Sequence, residues 1–296
     1  MVAKKADAPE GEEGKTGTDL VEQKAGTTDM AVYEGYEADR GAGYENQSSD
    51  DISVPFIEIL QAQSPEVQVD DGPRAGTLIN RTTGEIWPGK DGVSFIPSTT
   101  SHELVEWVPR EKGGGLVASY SMNPGSTDPF AENIRKTQPL GKYTNPDNGN
   151  DLIETFYVYG IFVEGDQSHP AVLAFSSSRI KDYKDWMFRA RAIVITLPNG
   201  RKLTKLPLFS HRYRLMTAAK ENSQGKWFGF QVRFDGENAE SSRIAPNDDL
   251  YTMAKQLNED VSAGRKTADT SSAGTRDEVV DGAPAKGDTT GADAPY

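Results

Sequence analysis

The chain has 296 residues, a formal net charge of −13 and no cysteine. Without cysteine there is no disulfide, no thiolate metal ligand and no cysteine nucleophile. No stretch approaches the roughly 18 consecutive apolar residues of a spanning helix, and the first residues carry no signal-peptide core. A soluble chain without membrane contact is expected, working in the cytoplasm (the host cytoplasm if a phage encodes it).

The charge is divided unevenly. Residues 1–51 hold 5 basic and 13 acidic groups, residues 52–234 hold 21 and 19, and residues 235–296 hold 6 and 13. Such asymmetry bears on partners and solubility rather than on fold.

Residues 1–51 are rich in Gly, Glu, Asp, Thr and Ala with no apolar periodicity, so they are expected to be a disordered acidic tail. Order is expected from Ile52. The run Asp51–Val67 reads as a strand or short helix entering the core. Short strand-like runs follow at Thr77–Asn80, Glu85–Trp87, Val93–Pro97 and Glu103–Pro109, separated by Thr83-Gly84 and Asp91-Gly92 turns. Gly113–Gly115 beside Lys112 lacks the spacing of a phosphate loop and reads as a hairpin tip. Met122–Asn150 reads as a surface insertion around a helix at Pro129–Lys136.

Leu152–Glu164 and Pro170–Ser176, rich in β-branched and aromatic residues, predict a central hairpin. Ser176–Ser178 then precede a helix with a serine cap, whose stripe is read as Ile180, Tyr183, Lys184, Met187 and Phe188. Lys181, Asp182, Asp185, Trp186 and Arg189 would face away from it. Ala192–Leu197 and Lys202–Phe209 predict a strand pair about Pro198–Gly200. Tyr213–Ala219 and Trp227–Phe234 predict a further hairpin, with Phe228, Phe230, Val232 and Phe234 inward and Trp227, Gly229, Gln231 and Arg233 outward. An amphipathic helix over about 246–263 carries Leu250, Met253, Ala254, Leu257 and Val261 on one stripe, to dock on the domain or on a second protomer in a homo-oligomer. Residues 264–296 are expected to be a second disordered acidic tail.

These elements define a mainly-β, α+β chain, with an OB-like antiparallel β-barrel over 52–236, one or two helices and disordered termini. A β-sandwich has the same periodicity. Residues 179–233 reverse the overall charge, with 13 basic against 3 acidic residues and aromatics interleaved. Cations for phosphates beside flat rings for bases are the composition of a single-stranded nucleic-acid surface. The expected contacts are Arg179, Lys181, Lys184, Arg189, Arg191, Arg212, Arg214, Lys226 and Arg233 to phosphate, with Trp186, Tyr213 and Trp227 stacking on bases. The other reading is ordinary sheet core with a solvated charged face. Three scattered histidines have no metal-site spacing, and no nucleophile elbow is present. Neither catalysis nor a cofactor is expected.

The segments VPFIEILQAQSPEV, FSSSRIKDYKDW, PLFSHRYRL and GKWFGFQV resemble a family of phage-encoded replication-region proteins associated with single-stranded DNA binding. The resemblance spans roughly Ile52 to Phe234. It implies an oligonucleotide-binding barrel that coats single-stranded DNA with little sequence preference. The ending Asp293, Ala294, Pro295, Tyr296 is similar to the acidic tails of bacterial single-stranded DNA-binding proteins, which close on Pro-Phe, although its acids are scattered. That likeness implies recruitment of a polymerase or helicase through Asp293, Pro295 and Tyr296; the other reading is a merely solubilising tail. The alternative from another class is a virion structural or scaffold-like protein.

Overall fold

The computed structural model describes residues 54–268, apart from 142, 166, 223 and 224, together with residues 39, 40, 42, 43 and 45. The chain falls into two units, Met1–Gln47 and Ser48–Tyr296. In the first, the described residues form a turn in which the Gly43 N–H donates to the Glu45 carboxylate (2.8 Å). The rest of the N-terminal tail, and residues 269–296 with Asp293, Pro295 and Tyr296, lie outside the described residues.

In the second unit, β1 (Ile57–Ile59), β2 (Leu78–Asn80) and β3 (Ile86–Trp87) form a small antiparallel sheet. The main sheet contains β4 (Val93–Trp107), β5 (Leu116–Ser121), β6 (Tyr143–Thr144), β7 (Asp151–Glu164), β8 (Gln167–Ser176), β11 (Tyr213–Asn222) and β12 (Gly225–Phe234). In the chain between β8 and β11, β9 (Ile195–Thr196) pairs with β10 (Lys202–Leu203). The helices are α1 (Pro129–Thr137), α2 (Ile180–Arg191) and α3 (Asp249–Ser262). The mainly-β, α+β class expected from the sequence is the class observed.

β4 and β7 pair along almost their whole length, from Ser94–Val163 to Trp107–Asp151, with a bulge between Pro97 and Thr99. The two runs read separately as Val93–Pro97 and Glu103–Pro109 are therefore one strand. Proline supplies no ladder N–H, and the bulge at Pro97 accommodates it. At the start of β4 the order is β12-β11-β4-β7, with β8 on the far side of β7. At the other end β5 flanks β4 and β6 flanks β7. Among the described residues no strand ladder closes this sheet into a barrel. Residues 54–61 span the gap instead: Phe56 bridges Val172 on the outer side of β8, and the Gln61 amide pairs with the Phe228 backbone on β12 (3.0 and 2.9 Å).

Alternation along the strands sends side chains to both faces. One face carries Phe95, Val158, Phe162, Leu173, Phe175 and Leu215 beneath the small sheet and α2. The opposite face packs Val105, Trp107, Tyr157, Tyr159 and Ile161 against Ala254 and Leu257 of α3. Asp248 caps α3, accepting from the Leu250 N–H (2.8 Å). Of the two dockings expected for this helix, the one on its own domain is observed. The ordered region runs past it: Arg265 pairs with Asp260 (2.7 Å) and Ala268 bridges Val54, so residues 264–268 belong to the domain rather than to a tail.

The segment read as a surface insertion also contributes core. Met122, Ala131, Ile134 and Tyr143 pack with Leu104 and Leu152. Asp128 accepts from the Phe130 N–H (2.7 Å) to start α1, with Pro129 in its first turn. Beside this cluster Glu106 is buried on β4, accepting from the Tyr120 hydroxyl (2.7 Å) and the Asn148 and Asn150 side-chain amides (2.7 and 2.6 Å). Burial alone would raise its pKa, but these donors outweigh burial and hold it below its ordinary 4.5. The hydrogen bond to Glu106 pushes Tyr120 up to about 12.

Because the folded value of Glu106 lies below the unfolded one, its contribution is full above the ordinary carboxyl pKa and is lost as pH falls through the folded value. Replacement Glu106→Gln should cost about 1–3 kcal/mol at neutral pH. Urea denaturation at descending pH should show that deficit shrinking as the medium becomes more acidic than the ordinary carboxyl pKa.

Candidate nucleic-acid interface

The serine-rich entry to α2 is a 3-10 turn, Ser177–Arg179, and Arg179 rather than a serine occupies the N-cap position with no side-chain cap bond. The 3-10 bonding itself supplies an acceptor, since the Ile180 N–H donates to the Ser177 carbonyl. The buried face of α2 is rotated from the one expected: Tyr183 and Met187 remain on it, Trp186 and Ala190 join it, and Lys184 and Phe188 leave it. Trp186 is only 1% exposed, with its ring against Phe95, Phe175 and Tyr213 at centroid distances of 6.3, 6.2 and 5.4 Å. Met187 is buried, and Tyr183 and Ala190 pack on the same cluster. Phe188, read as core, is 76% exposed.

Three assignments are therefore corrected. Trp186 cannot stack on a base, because its ring is enclosed by sheet residues. Tyr213, 3% exposed, lies between Trp186 and Phe234; burial raises its pKa to about 12, with Trp186 opposing. Arg179 is 3% exposed, so its guanidinium is not on a surface for phosphate.

α2 lies along the outer edge of β12. Arg189 Nη2 donates to the Val232 carbonyl (3.0 Å) and its Nε to the Asp185 carbonyl (3.2 Å). With Gln61 on Phe228, these bonds cover an edge that would otherwise be open to another strand. Lys181, Lys184 and Arg191 are exposed on α2. A groove of about 470 Å³ separates helix and strand, lined by Asp182, Asp185, Phe188, Arg189, Gln231 and Arg233 among others.

The hairpin β11–β12 follows the expected alternation. Phe230 and Val232 are buried, Phe228 and Phe234 pack on the same cluster, and Arg233 is exposed on the other side. Trp227 is half-buried. Register places Lys220 opposite Trp227 and Arg214 opposite Arg233. Lys220 is ion-paired with Asp182, a carboxyl that burial raises and Lys220 partly restores. Gly229 lies beneath this pair; a Cβ there would meet Asp182 Oδ2 at 2.8 Å and Lys220 Cε at 2.7 Å. Lys226 is exposed, 3.5 Å from Glu221. Arg212 and Arg214 both approach Asp235, at 3.1 and 2.8 Å.

Of the twelve residues expected to touch DNA, the structure thus gathers Arg189 and Arg233 at the groove, Arg212, Arg214 and Arg233 at the base of the hairpin, and Trp227 and Lys226 toward its tip. Lys181, Lys184 and Arg191 stand on the exposed face of α2. Sequence reasoning missed Phe188 and Asp235. Phe188 was legible only through the other helical phase: Tyr183, Trp186, Met187 and Ala190 satisfy the same periodicity as the stripe chosen. Among the described residues no group of three or more His, Cys, Asp or Glu is placed to hold a metal ion, and no helix is long and apolar enough to cross a membrane.

A mainly-β protein of antiparallel sheets and three helices, with exposed cations on its last hairpin and on the adjoining helix, is the class these features define. A model of the Pam3 phage gp34-like protein family matches residues 22–267, and the chain belongs to that family. No curated protein and no solved structure matches it.

The exchange of roles between two neighbouring aromatics has a direct test. Trp186→Ala removes an enclosed ring and should cost about 3–5 kcal/mol, whereas Phe188→Ala should change stability by less than about 0.5 kcal/mol. Denaturant titration of both variants distinguishes them.

Proposed function

We propose that the protein binds single-stranded DNA with little sequence preference, as a non-catalytic component of phage replication or recombination in the host cytoplasm. The observation that carries this reading is the cross-strand pair Arg214–Arg233 on the outer face of the hairpin. Like charges directly opposite one another destabilise a sheet; Asp235 offsets Arg214 but is shared with Arg212, and a bound phosphate supplies the counter-charge that Arg233 lacks. Lys181, Lys184 and Arg191 on α2 and Lys226 toward the hairpin tip are exposed and offer further cations to phosphate. Phe188 and the half-buried Trp227 supply rings for bases, which stack without regard to sequence.

Residues 269–296 hold six acidic and two basic residues. Tethered to the domain, they compete with DNA for the basic face at high effective concentration, and Asp293, Pro295 and Tyr296 offer a docking point for a polymerase or helicase.

Titrating labelled oligo-dT with the intact protein across a salt series tests the reading. Affinity should fall with salt at a log–log slope of about −0.7 for each phosphate neutralised. Phe188→Ala should weaken binding about tenfold, within the roughly 1–3 kcal/mol of a base–aromatic stack. Absence of binding at low salt would overturn the reading. Large regular assemblies formed without DNA, seen by light scattering, would point to the virion structural class instead.

A further inference from the structure

The base of the hairpin holds an arrangement that charge counting does not anticipate. Arg212 and Arg214 stand two apart and Arg233 lies opposite Arg214. The Asp235 N–H donates to the Arg212 carbonyl (3.0 Å), which places Asp235 opposite Arg212. All four side chains therefore share one face. Arg214 directs both Nε and Nη2 at Asp235 Oδ1, at 2.9 and 2.8 Å. Arg212 Nε lies 3.1 Å from Asp235 Oδ2, close enough for ion pairing but without hydrogen-bond alignment. The Ser94 hydroxyl donates to Oδ2 as well (2.6 Å). Asp235 is only 12% exposed, while Arg212 and Arg214 are each 40% exposed.

One nearly buried carboxylate, bonded by a serine, thus holds two arginines whose side chains remain partly exposed. They border a cavity of about 450 Å³ that Trp87 also lines, with Glu164 on its wall. Arg233 lines the groove between α2 and β12 rather than this cavity; opposite Arg214 on the same face of the hairpin it adds a third guanidinium, and none of the described carboxylates forms an ion pair with it. Arg212, Arg214 and Arg233 against Asp235 and Glu164 leave one net positive charge, and Arg212 and Arg214 are already held by Asp235, so an anion binding there does not meet the full cost of fixing flexible side chains. Guanidinium groups suit phosphate oxygens in particular.

We infer that Arg212, Arg214 and Arg233 form a phosphate clamp and that Asp235 is its positioning residue, an acid that strengthens the binding of an anion. The inference rests on the single-stranded DNA reading for its natural ligand, the DNA backbone, but the clamp chemistry stands apart from it.

The test exploits the sign. Removing a negative charge beside a polyanion site strengthens binding if Asp235 acts only through its charge. If Asp235 positions the arginines, Asp235→Asn weakens oligo-dT binding about tenfold and makes the salt slope shallower by about 0.7 for each phosphate the clamp no longer holds. Ser94→Ala, which leaves the ion pairs intact, should weaken binding in the same direction to a smaller extent, and Asp235→Glu should recover part of the deficit. Tripolyphosphate serves as the second probe in the same variants. Equal or tighter binding of both probes by Asp235→Asn, with an unchanged slope, overturns the inference. Tripolyphosphate binding that depends on Asp235 without oligo-dT binding upholds the clamp and overturns the DNA reading. Failure of the unaltered protein to bind either probe overturns both.

Discussion

The long pairing of β4 with β7 is the constraint on which the remainder depends. It runs from Ser94–Val163 to Trp107–Asp151, so its two ends can carry different neighbours. The end near Ser94 supports β11, and through it the basic hairpin. The end near Trp107 supports β5, β6 and the cluster beneath α1. The bulge at Pro97–Thr99 lies between these ends and demands close approach: a Cβ on Gly160 would stand 2.3 Å from the Ile96 carbonyl oxygen and 2.4 Å from Phe95 Cζ. Only glycine lets β7 pass at that point while Phe95 remains in the core.

The outer strand of that sheet creates a second requirement. β12 ends the main order of strands, and an uncovered edge invites pairing with other chains. Two distant parts of the sequence cover it: Gln61 engages the backbone of Phe228, and Arg189 engages Val232. This explains why α2 is turned as it is. To reach the edge with Arg189 while filling the space between Phe95, Phe175 and Tyr213, the helix must bury Trp186, and Phe188 is then forced outward. With the edge occupied, the face of the hairpin is what remains for a ligand.

How far the sequence revealed this follows from the range of each interaction. β7, β8, α1, α3 and the inward set of β12 were legible because their apolar periodicity is local. The unity of β4 was not, since Pro97 and the polar run Ser98–His102 imitate a break, and only pairing with β7 continues the strand through them. The direction faced by α2 was ambiguous because aromatics occur on both of its sides, and the partners that select Trp186 lie on β4, β8 and β11. Met122–Asn150 resembled an insertion because its buried residues are few and find their core on Leu104 and Leu152. The cationic character of residues 179–233 was plain from composition, but its distribution between surface and interior was not.

That distribution decides how the positive charge can act. Arg179 is enclosed, Lys220 is held by Asp182, and Arg189 serves the β12 edge. Each contributes to folding, so the raw excess of basic residues overstates what a polyanion would meet. Arg233 differs in kind, being exposed and opposed in register by another arginine. A sheet built for stability alone would place an acid or a β-branched residue there. Local rules are broken where function requires it, and here the breach adjoins an aspartate that restrains two neighbouring arginines without neutralising the third. For the proposed binding, the placement of a few charges on the hairpin therefore matters more than the number of charges in the segment.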